Sequence, residues 1–181
     1  QYIFRGILQS KSSAMGGVDL EAGGFYAGVW GADVDDGLEI DYYGGYGFDL
    51  GPVSLGIGGT MYTYTGDFDD TYKELNFSAG FAFLTFDAAV GSYDNFDGPS
   101  QDYEFYSLTA EHNGFYGTIG TFQNDFSGTY YEAGYGNTLS VGETDLLDYV
   151  FTVIHSDSDL VLDSDSSDTS FVLTLSKTFD L

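Results

Sequence analysis

The sequence predicts an all-β fold, a transmembrane antiparallel up-and-down β-barrel of about twelve strands with both termini in the periplasm. Three observations predict it. Apolar and polar residues alternate in segment after segment, tight turns alternate with longer acidic links, and Tyr, Phe, Val and Thr dominate where helical stripes are scarce. At 181 residues, the chain is expected to form a single domain over residues 1–181.

The alternation divides the chain into segments of about 8 to 13 residues, a length that suits tilted strands in a membrane. In residues 73–83, for example, Leu75 and Phe77 fall on one face while Glu74 and Asn76 fall on the other. The predicted strands lie near 1–9, 15–22, 25–34, 38–48, 53–64, 72–83, 84–92, 103–112, 115–124, 129–140, 146–156 and 169–181. Because a barrel in lipid leaves no open edge, the last strand is expected to pair with residues 1–9.

The connections predict which end of the barrel faces outward. Tight turns at "EAGG", "DLGP", the junction around Phe83, "EHNG" and "SVGE" interleave with longer links at "SKSSA", "VDDG", "TGDFDD", "DNFDGPSQD", "NDFSG" and "SDSDLVLDSDSSD". Short turns at one end and long loops at the other are typical of bacterial outer-membrane barrels, whose turns are periplasmic.

Aromatic residues near the strand ends predict two interfacial girdles. The girdle at the short-turn end comprises Tyr2, Phe4, Phe25, Phe48, Phe81, Phe83, Phe115 and Phe179, and the girdle at the long-loop end comprises Tyr62, Tyr72, Tyr93, Tyr103 and Tyr130. A soluble barrel or sandwich is the alternative, since it would place the Phe and Leu side chains inward and the acids outward. The girdles, the alternating connections and the scarcity of Lys favour the membrane.

Four short motifs resemble a known family. The segments "YIFRGILQS", "GGFYAGVWGADVD", "LEIDYYGGYGFDL" and "LSKTFDL" are similar to the TorF-type porins, a bacterial outer-membrane family of unsettled function. The resemblance is strongest over residues 1–50 and in the last strand. It implies an exported β-barrel with channel activity, and it supplies no catalytic or ligand residues.

If the apolar parity faces lipid, the opposite parity lines the interior. The predicted pore-lining residues are Arg5, Asp19, Glu21, Glu39, Asp41, Glu74, Asp87, Glu111, Glu132 and Asp148. About twelve strands leave a narrow passage, and a carboxylate wall favours cations over anions. Clustered carboxylates raise one another's pKa values, so we expect conductance to fall in acid.

Arg5 is the one basic residue assigned to the interior, and it has two interpretations. It is either a constriction charge that meters cations or a structural counter-ion to Asp19 or Asp180, and the structural role is favoured. Lys73 and Lys177 share the apolar parity near opposite rims and can extend to the interfaces.

The loop "SDSDLVLDSDSSD" suggests Ca²⁺ as the one cofactor, bound at the extracellular face. Its candidate ligands are Asp157, Asp159, Asp163 and Asp165, because Ca²⁺ prefers carboxylate oxygens. The spacing does not match an EF-hand, so a solvated acidic loop without a bound cofactor is favoured over the calcium site.

The formal net charge of −25 excludes a basic nucleic-acid surface and makes small cations or solutes the natural partners. The predicted surroundings are the lipid and lipopolysaccharide of a bacterial outer membrane, and a homo-oligomer is left open. The predicted function is a porin-like, cation-preferring passage. The alternative is a non-conducting structural, adhesive or receptor barrel with divalent-cation-binding loops. No enzyme is predicted, because a lipase using His155 as base would need a serine nucleophile that the sequence does not mark.

Overall fold

A computed structural model describes residues 1–142, 144–162 and 165–180, and its regular structure is almost wholly antiparallel strand. This confirms the predicted all-β class. The strands are β1 (Tyr2–Phe4), β2 (Ile7–Ser10), β3 (Met15–Ala22), β4 (Phe25–Val34), β5 (Gly37–Leu50), β6 (Val53–Tyr64), β7 (Tyr72–Phe81), β8 (Leu84–Tyr93), β9 (Gln101–His112), β10 (Phe115–Asn124), β11 (Gly128–Val141), β12 (Thr144–Ser156) and β13 (Asp168–Ser176). A short 3-10 helix covers Ser158–Leu160. Within the described residues, no helix has the length and apolar character needed to cross a membrane.

Eleven of the strands form one sheet, in which β3 to β13 are hydrogen-bonded in chain order. The predicted tight turns join the strands at one end of this sheet, and the longer links join them at the other. At the "EHNG" turn, His112 and Phe115 are paired, and Asn113 and Gly114 between them both have positive φ. This is the backbone that a two-residue hairpin loop requires, and Asn-Gly adopts it readily.

The prediction of one strand over residues 1–9 is wrong. Residues 2–10 instead form a separate two-stranded hairpin, here called the N-terminal hairpin, in which Phe4 pairs with Ile7. Its two-residue turn is Arg5-Gly6, with φ values of 48° and 83°. The glycine takes this left-handed backbone at little cost, so the dipeptide folds the segment back on itself.

The eleven-stranded sheet curls around the N-terminal hairpin. Tyr2 contacts Trp30 on β4, and the carbonyl of Gly6 accepts a hydrogen bond from Ser156 on β12. In a flat sheet these two strands would lie about 38 Å apart, whereas residues 2 to 6 span at most about 14 Å. One hairpin can touch both strands only if the sheet bends around it. The face that contacts the hairpin is therefore called the concave face.

The two faces of the sheet differ in chemistry. The convex face carries large apolar side chains that remain exposed, with Leu20 at 73% and Phe171 at 74%. The concave face carries the acids, small residues and tyrosines. An exposed apolar surface of this extent is typical of an interaction surface, towards either a membrane or another protein.

The sheet has two edges, β3 and β13. In the described part of the chain β13 pairs with β12 alone, so the predicted pairing of the last strand with residues 1–9 is wrong. Residues 1–9 are unable to pair there because the N-terminal hairpin has taken them to the concave face. Both edge strands begin at the long-loop end and finish at the short-turn end, so they run in the same direction.

The predicted aromatic girdle at the long-loop end is wrong as well. Its tyrosines lie on the concave face, where Tyr62 is 8% exposed and Tyr103 only 2%. Four of the five donate a hydrogen bond to an acidic side chain there, Tyr62 and Tyr103 to Glu74 and Tyr72 and Tyr93 to Asp69. Of the other girdle, Tyr2 is buried in the hairpin, while Phe25 and Phe115 are exposed near the short turns as predicted.

Concave-face glycines make room for the interior rings, and this can be tested on β10. A Cβ at Gly120 would lie 2.3 Å from Cε1 of the buried Tyr130 ring, whereas a Cβ at Gly117 meets its nearest neighbour at 3.8 Å. We expect Gly120→Val to lower the free energy of unfolding by about 1–3 kcal/mol, the usual cost of overpacking. Gly117→Val on the same strand is the control and is expected to change little. Urea unfolding followed by tyrosine fluorescence measures both, and equal effects would contradict the assignment of the two faces.

Candidate functional site

Glu74 is the centre of a buried polar cluster. It lies on the concave face of β7, and its carboxylate accepts two hydrogen bonds from Arg5, at 2.8 Å and 2.9 Å. The hydroxyl groups of Tyr62 and Tyr103 donate to the same carboxylate at 2.7 Å and 2.9 Å, and Nδ2 of Asn76 donates at 2.6 Å. The Glu74 carboxylate thus binds side chains from the hairpin turn and from three strands, β6, β7 and β9.

The Arg5 side chain is enclosed by Glu74 and by two aromatic rings. Its side chain is 14% exposed, and its guanidinium carbon lies 4.2 Å from the ring centre of Phe105 and 4.8 Å from that of Phe4. Burial lowers the pKa of Arg5, but the hydrogen bonds and charge of Glu74 outweigh it and hold that pKa above its ordinary value. The counter-ion is Glu74, so the predicted pairing with Asp19 or Asp180 is wrong. Arg5 belongs to a hairpin that is packed inside the sheet, where both of its terminal nitrogens donate to Glu74.

A second acidic pair lies beside this cluster on β5. Glu39 is completely buried and Asp41 is 8% exposed. Oε1 of Glu39 accepts a hydrogen bond of 2.5 Å from the hydroxyl of Tyr2. Oε2 of Glu39 and Oδ1 of Asp41 are buried and have no hydrogen-bond partner at normal distance within the described residues. The hydroxyl of Tyr64, the residue opposite Glu39 on β6, lies near the Glu39 carboxylate.

The remaining predicted lining residues share the concave parity but not the buried cluster. Asp19 accepts a hydrogen bond from Tyr43, Glu132 accepts one of 2.5 Å from Tyr116, and Asp148 accepts one of 2.5 Å from Thr138. The other three are exposed or half-buried on the same face: Glu21, Asp87 and Glu111.

A cavity of about 450 Å³ opens on the short-turn side of the N-terminal hairpin. The hairpin forms one of its walls with Phe4 and Arg5, and β7, β8 and β9 contribute polar groups. The polar lining residues from the strands include Asn76, Ser78, Asp87 and Ser107. The concave face is thus open and polar below the hairpin.

Above the hairpin, towards the long loops, aromatic rings fill the concave face. Tyr72 and Tyr93 stack with centroids 4.4 Å apart, and both donate to Asp69. Phe126 stacks on Tyr103 at 5.1 Å. The hairpin and this aromatic layer together occupy the concave face on its long-loop side.

The acidic loop after β12 uses its carboxylates for local structure. Asp157 accepts a hydrogen bond of 2.7 Å from the amide of Thr129 and caps the 3-10 helix, and Asp159 accepts one of 2.8 Å from Ser127. Asp165 is exposed, and Asp163 lies outside the described residues. Among the residues that the structure describes, no group of three or more His, Asp or Glu side chains is arranged to hold a metal. Calcium binding by this loop stays a prediction.

The histidine considered for a lipase is engaged elsewhere. Nδ1 of His155 lies 2.8 Å from the hydroxyl of Thr169 on β13, and the neighbouring Ser156 donates to Gly6. The first contact joins β12 to β13, and the second joins β12 to the N-terminal hairpin.

Sequence reasoning missed Tyr2, Tyr62 and Tyr103 as site residues. The signal was present for Tyr103, which shares a strand face with Glu111 in an alternating segment and so belonged to the interior. For Tyr2 the sequence carried no comparable signal, because its position depends on how the hairpin packs.

Comparison with known proteins identifies a family for the chain, but the description of that family names no activity. A family model described as a bacterial protein of unknown function (Gcw_chp) matches residues 1–179. The chain matches no curated protein and no solved structure. The resemblance to TorF-type porins stays a prediction.

Proposed function

Since the chain belongs to the Gcw_chp family of bacterial proteins, whose function is unknown, we propose a function from the geometry alone. The protein is an outer-membrane β-barrel that provides a narrow, cation-preferring passage for ions or small solutes, and the N-terminal hairpin is its plug. The observation that carries this proposal is the two-faced sheet, apolar and exposed outside and polar and acidic inside. This is the pattern of a membrane barrel, whereas a water-soluble barrel has the reverse.

The strands support placement in a membrane. Those of the large sheet are 8 to 14 residues long, and a tilted membrane strand needs about 9–11. Lipid offers no hydrogen bonds to the free edges of β3 and β13, so in the membrane these edges pair with each other and close the wall. Because the two strands run in the same direction, that seam is parallel. The short turns then face the periplasm and the long acidic loops face outward.

The interior supports a preference for cations. Nine of the ten predicted lining residues are acidic, and Arg5, the single base, is neutralised by Glu74. A cation near this wall is attracted by the carboxylates while an anion is repelled. The cavity on the short-turn side of the hairpin is the part of the passage open to small solutes.

A second candidate function is favoured by the packing above the hairpin. Because the hairpin and the aromatic layer occupy the concave face there, a barrel that never opens would serve as a non-conducting structural, adhesive or receptor protein with acidic surface loops. The two candidates differ in one measurable property, which is current.

Single-channel recording in a planar lipid bilayer tests the proposal. We expect discrete openings whose reversal potential in a salt gradient shows cation preference, and we expect that preference to weaken in acid as the exposed carboxylates are protonated. Inserted protein that never conducts would support the second candidate. Anion preference would contradict the role of the acidic wall, and failure to insert would contradict the membrane assignment.

A further inference from the structure

The buried carboxylates of Glu39 and Asp41 lack a counter-charge. They lie two residues apart on β5 and therefore on the same face of the strand. Each has a buried oxygen without a hydrogen-bond partner in the described structure, Oε2 of Glu39 and Oδ1 of Asp41. An unpaired buried carboxylate is costly, and either a bound cation or a proton relieves that cost.

The chain has no basic side chain left to supply that charge. It contains four Lys and Arg residues in all. Arg5 is paired with Glu74, Lys73 with Asp94 at 2.7 Å, and Lys177 donates to a backbone carbonyl 2.9 Å away. Lys11 is exposed in the link before β3. A cation that neutralises Glu39 and Asp41 therefore has to come from solution and not from a side chain of the chain.

We propose that Glu39 and Asp41 bind one divalent cation of the Mg²⁺ or Ca²⁺ class inside the curled sheet. Two carboxylates balance the charge of one such ion, and their surroundings offer further hard oxygens. The hydroxyl of Tyr2 donates to Glu39 and keeps its lone pairs free, and Tyr64 lies opposite Glu39 on β6 with its hydroxyl near that carboxylate. Oxygen ligands are those that Mg²⁺ and Ca²⁺ prefer, and Mg²⁺ commonly takes only one or two carboxylates with water completing its shell.

The site also bears on the N-terminal hairpin. Tyr2 reaches Glu39 from β1, so a cation held by Glu39 and Asp41 lies directly behind the hairpin strand. Loss of the ion leaves two adjacent carboxylates to repel each other under the hairpin. The inference does not depend on whether the protein conducts, because it concerns a resident ion of the folded chain.

Thermal unfolding of the purified full chain in detergent tests the site. After removal of metals with a chelator, Mg²⁺ or Ca²⁺ at about 100 times its dissociation constant is expected to raise the midpoint by about 5–10 °C at constant ionic strength. Asp41→Asn is expected to abolish the shift. Asp87→Asn removes one carboxylate from the same face and is expected to keep it.

Three results would overturn the proposal: a midpoint unaffected by divalent ions, an equal loss of the shift in Asp87→Asn, or stabilisation by acid that divalent ions do not reproduce. The last would show that protons neutralise the pair. If Asp41→Asn does not fold, calorimetric titration of the unaltered chain decides, since the site requires a saturable step of one ion per chain. This experiment measures stability and not current. The cation site can therefore be refuted while the proposed passage stands, and the passage can be refuted while the site stands.

Discussion

Replacing Arg5 with glutamine is expected to lower the free energy of unfolding by about 3–5 kcal/mol, the cost of breaking a buried ion pair by removing one partner. The change leaves Glu74 with a buried charge that keeps hydrogen bonds from Tyr62, Tyr103 and Asn76 but has lost its cation. It also removes the cation from the face of Phe105. Urea unfolding in detergent micelles or lipid vesicles, followed by tyrosine fluorescence, gives the difference.

Lys73→Gln is the matched control for this loss. It breaks the other side-chain ion pair found in the described residues, that of Lys73 with Asp94, whose side chains are 53% and 43% exposed. An exposed pair contributes about 0–1 kcal/mol, because water and salt screen it. If Arg5→Gln cost no more than Lys73→Gln, the structural role of Arg5 would be refuted, and a change in ion selectivity alone would assign it to the constriction.

Strand positions could be predicted from the sequence wherever alternation and turn chemistry agree. The predicted strands 25–34, 53–64 and 115–124 coincide with β4, β6 and β10. In each case a period of two residues is bounded by residues that adopt turn backbone readily, such as the Asn-Gly of "EHNG". Local patterns suffice because neighbouring strands in this sheet are also neighbours in the chain.

The N-terminal hairpin could not be predicted in the same way. The segment "YIFRGILQS" has apolar residues on both parities and one glycine, which fits a wall strand as well as a short hairpin. The outcome depends on contacts distant in sequence, between Arg5 and Glu74 and between Ser156 and Gly6. The strand parity placed the acids on one face. The hairpin, which packs on Glu39 and Glu74, decided which of these acids are buried.

Loosening the hairpin is expected to open the passage. Besides the Arg5–Glu74 pair at its turn, two hydrogen bonds hold the hairpin: Tyr2 donates to Glu39 at 2.5 Å, and Ser156 donates to the carbonyl of Gly6 at 2.6 Å. The bond to a carboxylate contributes about 1.5–3 kcal/mol and the neutral one about 0.5–1.5 kcal/mol. The double variant Tyr2→Phe with Ser156→Ala removes both hydroxyl groups while keeping the shapes of the side chains nearly unchanged.

A combined loss of about 2–4 kcal/mol raises the population with a displaced hairpin roughly 30- to 1,000-fold, at tenfold for each 1.4 kcal/mol. Single-channel recording should therefore show a much higher open probability for the double variant than for the unaltered chain. Tyr43→Phe is the control, because it removes a hydroxyl that donates from β5 to Asp19 on β3 and not to the hairpin. An open probability that rises equally in Tyr43→Phe would mean that general loosening of the sheet, and not release of the hairpin, opens the barrel. An unchanged open probability in a folded double variant would refute the plug, since the two hydroxyl groups join the hairpin directly to opposite sides of the curled sheet.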